Sequence, residues 1–397
     1  MKWHSYLNTA AQVLGAYRGD LPFHHFIRQF FKQDKKYGSR DRRMISQLCY
    51  GYLRLGGALK EEPVEDRILA GYFLTVTHRD ELLQTFRPQW FAWWESHPAA
   101  TLTERIALLQ QTYPAFQVEG IFPLLEKLGA ISDSHQFFKA HLVQPDVYLR
   151  IRPGHKKTVL LKLENAGIAF RLIAPATIAV GATAPLDQVL ELNREAVIQD
   201  ASSQMVGELM EEMKTLLPEK GLKVWDCCAA SGGKSILVKD VVGKMELTVS
   251  DVRESVLHNL RSRMKEAGIG GYKALVADLA NPSTFIPLEK QSFDLIIADV
   301  PCSGSGTWAR TPEQLAAFKE ADLGKYTTLQ EKIVSRVLPY LKNGGTLLYI
   351  TCSVFREENE DRVTFLQQEK GLKLVKAAYL EGYAQKADTL YAAFFTA

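Results

Sequence analysis

From Ala201 to the C-terminus the chain repeats one pattern: a short apolar run, a turn, then a stretch with helical spacing. The runs are Lys223–Asp226, Glu246–Ser250, Lys273–Ala277, Phe293–Ala298 and Thr346–Ile350. Apolar strands separated by helices specify a doubly wound parallel sheet, because a parallel connection needs a crossover long enough to hold a helix. Such a sheet binds ligands beyond the C-terminal ends of its strands, so the residues at those ends carry the functional information.

The first strand runs into Asp226-Cys-Cys-Ala-Ala-Ser-Gly-Gly-Lys234. Small residues and paired glycines let the backbone bend sharply and approach a ligand before the next helix starts. Gly233-Lys234-Ser235 imitates the end of a P-loop, but Cys228 stands where that motif needs its first glycine. The dinucleotide pattern Gly-x-Gly-x-x-Gly is also absent. Strand two ends at Asp251, about 20 residues on, where a carboxylate accepts hydrogen bonds from both ribose hydroxyls. Strand three ends at Asp278, near where an adenine edge would lie, and strand four at Asp299. A lone strand-end aspartate is commonly a cap or turn residue. Three at successive ends, beside a glycine turn and without a basic phosphate cradle, suit a nucleoside-bearing cofactor that lacks phosphates.

The chain has five cysteines and no Cys-x-x-Cys pair, so neither a disulfide framework nor a zinc site of the usual spacing is expected. Cys49 sits on a helical apolar stripe and reads as core. Cys302, in Asp299-Val-Pro-Cys-Ser-Gly-Ser-Gly306, follows strand four, and Cys352, in Thr351-Cys-Ser353, follows strand five. Neighbouring strands bring both thiols to one rim, where a pair reads as chemistry rather than packing.

At 397 residues the chain exceeds one compact core, and its character changes twice. Residues 1–142 read as helices: one after Ser39 as N-cap, then Asp66–Thr75, Glu81–Trp94, Leu102–Thr112 and Phe122–Leu128. Residues 143–197 read as a small α+β unit, with strands at Val147–Arg152, Ala169–Ile173 and Thr177–Val180 around a helix at Thr158–Ala166. Residues 198–397 form the parallel-sheet domain. The net charge of +3 says little, but Arg28, Lys32, Lys35, Lys36, Arg40, Arg42 and Arg43 crowd one short span against Asp34 and Asp41. That run is either a solvated helix face or a phosphate-binding patch. No apolar run reaches the roughly 18 residues of a membrane span. The N-terminal residues lack a signal pattern, so a cytoplasmic location is expected.

Six stretches together resemble the RsmB/Nop/Sun family of RNA cytosine-5 methyltransferases. They are Gln199-Asp-Ala-Ser-Ser-Gln204, Cys228-Ala-Ala-Ser-Gly-Gly-Lys234, Asp299–Gly306, Arg310-Thr-Pro-Glu313, Lys342-Asn-Gly-Gly-Thr346 and Tyr349-Ile-Thr-Cys-Ser-Val-Phe-Arg-Glu-Glu-Asn-Glu360. DNA cytosine-5 enzymes are similar in the Pro-Cys after strand four but lack the second cysteine. Amino-group methyltransferases carry Asp/Asn-Pro-Pro-Tyr/Phe there, in place of Asp299-Val-Pro-Cys302. Tyr37–Arg43 with Leu48–Arg54 resembles the NusB-like RNA-binding domain of bacterial members, and the middle unit resembles their ferredoxin-like subdomain.

The resemblance implies a Rossmann-like catalytic domain that binds S-adenosylmethionine through Cys228, Ala229, Ala230, Ser231, Gly232, Gly233, Lys234, Asp251, Asp278 and Asp299. It implies Cys352 as nucleophile on cytosine carbon 6 and Cys302 as the base or proton relay that aids product release. It further implies Asp299 hydrogen-bonding the base and Lys234 orienting it or supporting the thiolate. RNA contacts would come from Arg40, Arg42, Arg43 and Arg310. A base taken out of its stack is required, so looped or single-stranded RNA is expected. Small-subunit ribosomal RNA is the preferred substrate and transfer RNA the second, with a metal-free monomer as the expected form. A methyltransferase-like assembly factor without turnover is the competing class. The sequence departs from the family at Ser231, usually proline, at Ala309, often arginine, and at Asp388-Thr-Leu-Tyr391, usually Asp-Gly-Phe-Phe.

Overall fold

The computed structural model describes residues 2–34, 36–79 and 81–397; Lys35, one member of the basic run, lies outside the described residues. The chain divides into two units. The first is helical and comprises Met1–Glu126, Ser132–Gln144 and Thr307–Lys319; the second comprises Lys127–Ile131, Pro145–Gly306 and Glu320–Ala397.

In the helical unit, Ile45, Leu48, Cys49 and Leu53 line the buried side of helix Ser39–Arg54, while Met44 and Tyr52, on the same apolar spacing, are half-buried. The helix begins at Ser39 itself: Gly38 occupies the cap position, and its N–H donates to the Asp41 carboxylate at 2.9 Å. Gly51 meets Gly71 of helix Val64–Thr75 so closely that a Cβ on Gly71 would lie 2.2 Å from the Gly51 carbonyl oxygen. The helix expected over Glu81–Trp94 is two, Glu81–Phe86 and Pro88–Ser96, because Pro88 lacks an N–H to continue the first and suits the opening turn of the second. Pro123 likewise reduces the helix expected over Phe122–Leu128 to one 3-10 turn, Leu125–Lys127, preceded by another at Val118–Ile121.

Two short segments lie in the other unit from the one expected of residues 1–142 and 198–397. Thr307–Lys319 joins the helical unit, where Trp308 is buried with its ring 5.3 Å from Phe122. There the Ala309 carbonyl accepts from Arg54 at 2.9 Å, and Glu313 accepts from the Phe23 N–H at 3.1 Å. Lys127–Ile131 joins the second unit through Lys127, 2.6 Å from Glu357, and the Gly129 N–H, 2.8 Å from the Val354 carbonyl.

The second unit holds two sheets. Strands β1 (Val147–Ile151), β2 (Phe170–Ala174), β3 (Thr177–Val180) and β4 (Ala196–Ile198) form an antiparallel sheet in the order β2-β3-β1-β4. Helix Lys156–Asn165 covers one face through Val159 and Leu163, and β4 adds one strand to the expected three. Strands β5 (Lys223–Asp226), β6 (Glu246–Asp251), β7 (Lys273–Val276), β8 (Phe293–Asp299), β9 (Leu341–Thr351), β10 (Lys373–Glu381) and β11 (Thr389–Thr396) form the large sheet. Its order is β10-β11-β9-β8-β5-β6-β7. The five strands read from sequence pair in parallel, and β10 and β11 extend the sheet antiparallel. Alternate residues of β8 feed two cores: Leu295 and Ile297 on one face, Ile296 and Ala298 on the other. Burial on both faces is why these strands read as unbroken apolar runs. Strand order reverses between β5 and β8, which opens a crevice at their C-terminal ends.

Arg150 of β1 and the nearby Arg152 both reach Asp240 of helix Gly233–Val242, at 2.6 and 2.7 Å, with all three side chains at most 13% exposed. Asp240→Ala leaves two buried guanidinium groups without a counter-charge. The expected loss is about 3–5 kcal/mol of unfolding free energy, measured as a lower urea midpoint. A loss below about 1 kcal/mol, the scale of an exposed ion pair, would show that this triad does not hold the small sheet in place.

Candidate active site

The turn after β5 is shaped by backbone geometry. Ala230 and Gly232 adopt φ of 46° and 85°, and a Cβ on Gly232 would come within 3.1 Å of Leu260. The turn is tied to both neighbouring strands. The Cys227 N–H donates to the Ile297 carbonyl at 2.9 Å, and the Ala229 N–H to the Ser250 carbonyl at 2.9 Å. Asp251, at the end of β6, accepts from the Ala230 N–H at 3.2 Å and from the Arg253 N–H at 2.9 Å.

A cleft of about 410 Å³ opens beyond these strand ends, within the usual range for a cofactor pocket. Cys228, Ala230, Asp251, Asp278 and Asp299 line it. Asp278 also accepts from the Ala280 N–H at 3.0 Å, which fixes the turn after β7. The one basic lining residue, Arg253, has its Nε 3.2 Å from Asp251. The remaining members of the expected cofactor set lie around the cleft. Ala229 is buried, Gly232 and Gly233 form the start of the helix, and Lys234 is nearly buried beside Asp299. The Ser231 hydroxyl accepts from Arg263 at 2.8 Å, so the serine at a position usually held by proline has a fixed orientation of its own.

At the cleft's inner edge the Cys302 and Cys352 sulfurs are 3.3 Å apart, and the Cys352 N–H points at the Cys302 sulfur, also at 3.3 Å. Both thiols are free and half-buried. The hydrogen bond with Cys352 pushes the Cys302 thiol up most, followed by burial and then by the charges of Cys352 and Glu358, so Cys302 is held protonated. The Lys234 ammonium lies 3.2 Å from Asp299 and donates to Ser203 at 2.8 Å. Gly306 is required where it stands, since a Cβ there would sit 1.9 Å from the Thr389 carbonyl oxygen.

The expected RNA contacts belong to the helical unit. Arg40, Arg42 and Arg43 are exposed on helix Ser39–Arg54, and Arg42 donates from Nε to the Tyr37 carbonyl at 2.9 Å. Arg42 and Arg43 line a hollow of about 350 Å³ with Arg28, Lys32 and His24. Arg310 is half-buried in the Thr307–Lys319 segment of the helical unit.

Four residues of the site were not singled out in the sequence. Ser203 and Glu358 lie inside quoted motifs, where a polar residue four positions after Gln199 and an acid six after Cys352 are the available signals. Gln330 is a buried polar residue in mid-helix, with no signal in a single sequence. Asp226 ends β5 with its carboxylate fully buried, bonded to the Ser235 hydroxyl at 2.6 Å through one oxygen.

Residues 213–393 match the family described as 16S rRNA methyltransferase RsmB/F. The chain is 26% identical over 385 residues to ribosomal RNA small subunit methyltransferase B of Yersinia enterocolitica, covering 86% of each chain. It is 28% identical over 376 residues to the protein of that name from Escherichia coli, covering 86% of this chain and 85% of the relative. The fold is shared with the solved structure of NSun6 from Pyrococcus horikoshii with SFG, at a TM-score of 0.54 and 14% identity, covering 70% of this chain and 96% of that one.

Burial pushes the Asp226 carboxyl from its ordinary 3.8 up to about 7; the Ser235 hydroxyl opposes the shift, and the charge of Asp299 adds to it. A carboxyl raised by folding contributes stability that is complete below pH 3.8 and lost as the pH climbs through about 7. Asp226→Asn removes that dependence. The stability of the natural protein relative to the variant should therefore fall across this window and level off above it. Urea unfolding at several pH values checks this, and a difference that stays constant across the window would refute the buried acid.

Proposed function

Because residues 213–393 belong to the RsmB/F methyltransferase family, we propose that the chain methylates carbon 5 of cytosine in small-subunit ribosomal RNA, with Cys352 as nucleophile. The reading rests chiefly on one observation: the Cys302 and Cys352 thiols lie 3.3 Å apart on the wall of the cleft that Asp299 also lines.

The cleft's chemistry suits S-adenosylmethionine. Two strand-end carboxylates, Asp251 and Asp278, match the hydroxyl and amino donors of a nucleoside, and the one arginine on its wall pairs with Asp251, so no phosphate cradle is offered. When bound, the cofactor supplies a sulfonium methyl group, an electrophilic carbon. Carbon 5 of cytosine is a poor nucleophile, and covalent addition at carbon 6 overcomes that. The Cys352 thiolate forms a bond to carbon 6, which turns the carbon 5–carbon 6 double bond into an electron-rich centre at carbon 5. Asp299 hydrogen-bonds the ring nitrogen and amino group of the base, favouring its electrophilic form, and Lys234 fixes the orientation of Asp299. After methylation, Cys302 serves as base or relay for the proton on carbon 5. The electron pair of that C–H bond restores the ring double bond as the bond from sulfur to carbon 6 breaks.

The exposed Arg40, Arg42 and Arg43 are the phosphate contacts of this reading, because contacts to phosphate dominate nucleic-acid affinity. Among the described residues no helix is long and apolar enough to cross a membrane. Work on ribosomal RNA in a bacterial cell takes place in the cytoplasm, which is the location proposed.

The test is incubation with tritiated S-adenosylmethionine and unmethylated small-subunit ribosomal RNA, followed by nucleoside analysis. Label in 5-methylcytidine is expected; label only from transfer RNA would replace the substrate, and none from either would overturn the reading. Cys352→Ala is expected to abolish incorporation, and turnover near that of the natural protein would remove Cys352 from its role. Cys302→Ala is expected to accumulate a covalent protein–RNA adduct, seen as a slow-migrating band on a denaturing gel. A variant that turns over without the adduct would refute the division of labour between the two cysteines.

A further inference from the structure

Behind the Cys302 loop lies a carboxylate that the proposed chemistry does not use. Glu358 ends the 3-10 turn Arg356–Glu358 after β9 and is 0% exposed. One of its oxygens accepts from the Ser303 N–H at 2.9 Å and from the Gln330 amide at 2.9 Å; the other accepts from the Ser303 hydroxyl. The same Gln330 amide reaches the Pro301 carbonyl at 3.1 Å. Both neighbours of Cys302 are therefore tied to Glu358, Ser303 directly and Pro301 through Gln330.

The hydroxyls around Glu358 are oriented as well. Ser305 accepts from the Val354 N–H at 2.9 Å and Ser353 from the Phe355 N–H at 3.0 Å, and both lie 3.1 Å from the Ser303 hydroxyl. Ser303 in turn donates to Glu358. A backbone N–H and a side-chain amide can only donate at these contacts, so the set suits the ionised acid. Burial pushes the Glu358 carboxyl up, and Ser303, Ser353 and Gln330 oppose that.

We propose that Glu358 is a positioning residue that assigns the two thiols their parts: its buried carboxylate keeps the proton on Cys302 and leaves Cys352 as the thiolate. The inference rests on the methyltransferase reading above, because only that reaction needs one of the two sulfurs to attack first. Two thiols 3.3 Å apart share a single negative charge far more readily than two, and their surroundings decide which sulfur carries it. Glu358 is tied to both neighbours of Cys302, Ser303 directly and Pro301 through Gln330, but to only one neighbour of Cys352, Ser353, so its charge weighs on Cys302. Once Cys352 has bonded to carbon 6, its own negative charge no longer faces Cys302, the larger of the two charges acting on that thiol, and Cys302 ionises more readily for the later proton step.

Other titratable groups face this network. Tyr326 of helix Glu320–Val337 feels Cys302, Glu358 and Cys352. Tyr349 of β9 donates to the Glu358 carbonyl at 2.8 Å and feels Glu358, Cys302, Arg362 and Tyr391. Arg362 of helix Glu360–Gln368 is paired with Glu331, and Glu357, next to Glu358, is paired with Lys127 at 2.6 Å. Burial pushes both Tyr326 and Tyr349 upward.

The test uses the full chain without RNA: sub-stoichiometric iodoacetamide over a pH series, with labelled peptides quantified by mass spectrometry and half-buried Cys228 as the internal reference. A one-unit difference in thiol ionisation is about tenfold in thiolate fraction. The natural protein should label Cys352 over Cys302 by about tenfold or more near neutral pH. In Glu358→Gln, which keeps the shape and acceptor oxygen of the side chain, the Cys302 share should rise about tenfold. Its labelling should also begin at lower pH, while Cys228 is unchanged.

A folded Glu358→Gln protein with the natural labelling ratio would overturn the proposal. If that variant does not fold, the natural protein decides alone, since equal labelling of Cys302 and Cys352 refutes the assignment. The labelling pattern without 5-methylcytidine would retire the methylation reading and keep the charge assignment. Methylation without the pattern would do the reverse.

Discussion

Parallel pairing of β8 with β9 is the constraint on which the site depends. Ala298 lies opposite Tyr349 and Asp299 opposite Ile350, and the Val300 N–H continues the ladder to the Ile350 carbonyl at 3.1 Å. Both strands therefore leave the sheet at one level, and short loops suffice to bring Cys302 to Cys352. A slip of one residue would turn every side chain of a strand to the other face. That slip is resisted on two sides, because Leu295, Ile297, Leu348 and Ile350 fill one core and Ile296, Ala298, Leu347 and Tyr349 the other. The reacting distance is thus a property of the hydrophobic core before it is a property of the cysteines. Gly306 completes the arrangement by donating to the Cys352 carbonyl at 2.9 Å from a position where no Cβ fits.

On this frame the charges are arranged rather than merely present. Asp226, Asp299 and Glu358 gather around the ends of β5, β8 and β9, and Lys234 is the cation held against Asp299. Asp226 and Glu358 are fully buried, so their charges are felt strongly and their partners are oriented before the reaction begins. Ser203 and Ser303 differ in what they hold: Ser203 receives Lys234, and Ser303 ties its loop to Glu358. A polar network of this kind costs stability when half-satisfied, and nearly every member here has its partners.

Much of this was legible because the chemistry lies at boundaries in the sequence. Asp251, Asp278 and Asp299 each close an apolar run, and a charge that ends a buried strand marks the surface where ligands bind. What failed to show had physical reasons too. In β10 only Leu380 is buried, because the strand is an edge strand with its residues mostly toward solvent, so Lys373–Glu381 has no clean period. In β11 nearly every residue is buried, and a short apolar run does not reveal whether it is strand or helix. Arg87-Pro88 broke a helix whose apolar spacing continued across it.

By itself the sequence determined the alternating strand and helix architecture, the glycine turn after β5 and the two cysteines at one rim, because period and strand-end residues are local properties of a chain. It also carried the family resemblance that the matching of residues 213–393 bears out. Only the tertiary structure decided that Thr307–Lys319 belongs among the helices, that Ser231 turns to Arg263, and that Glu358 lies behind Cys302. Those facts depend on pairs far apart in the chain, such as Arg54 with Ala309 and Ser303 with Glu358. Such pairs meet only after the core has closed, and no local pattern records which buried polar group will find which partner.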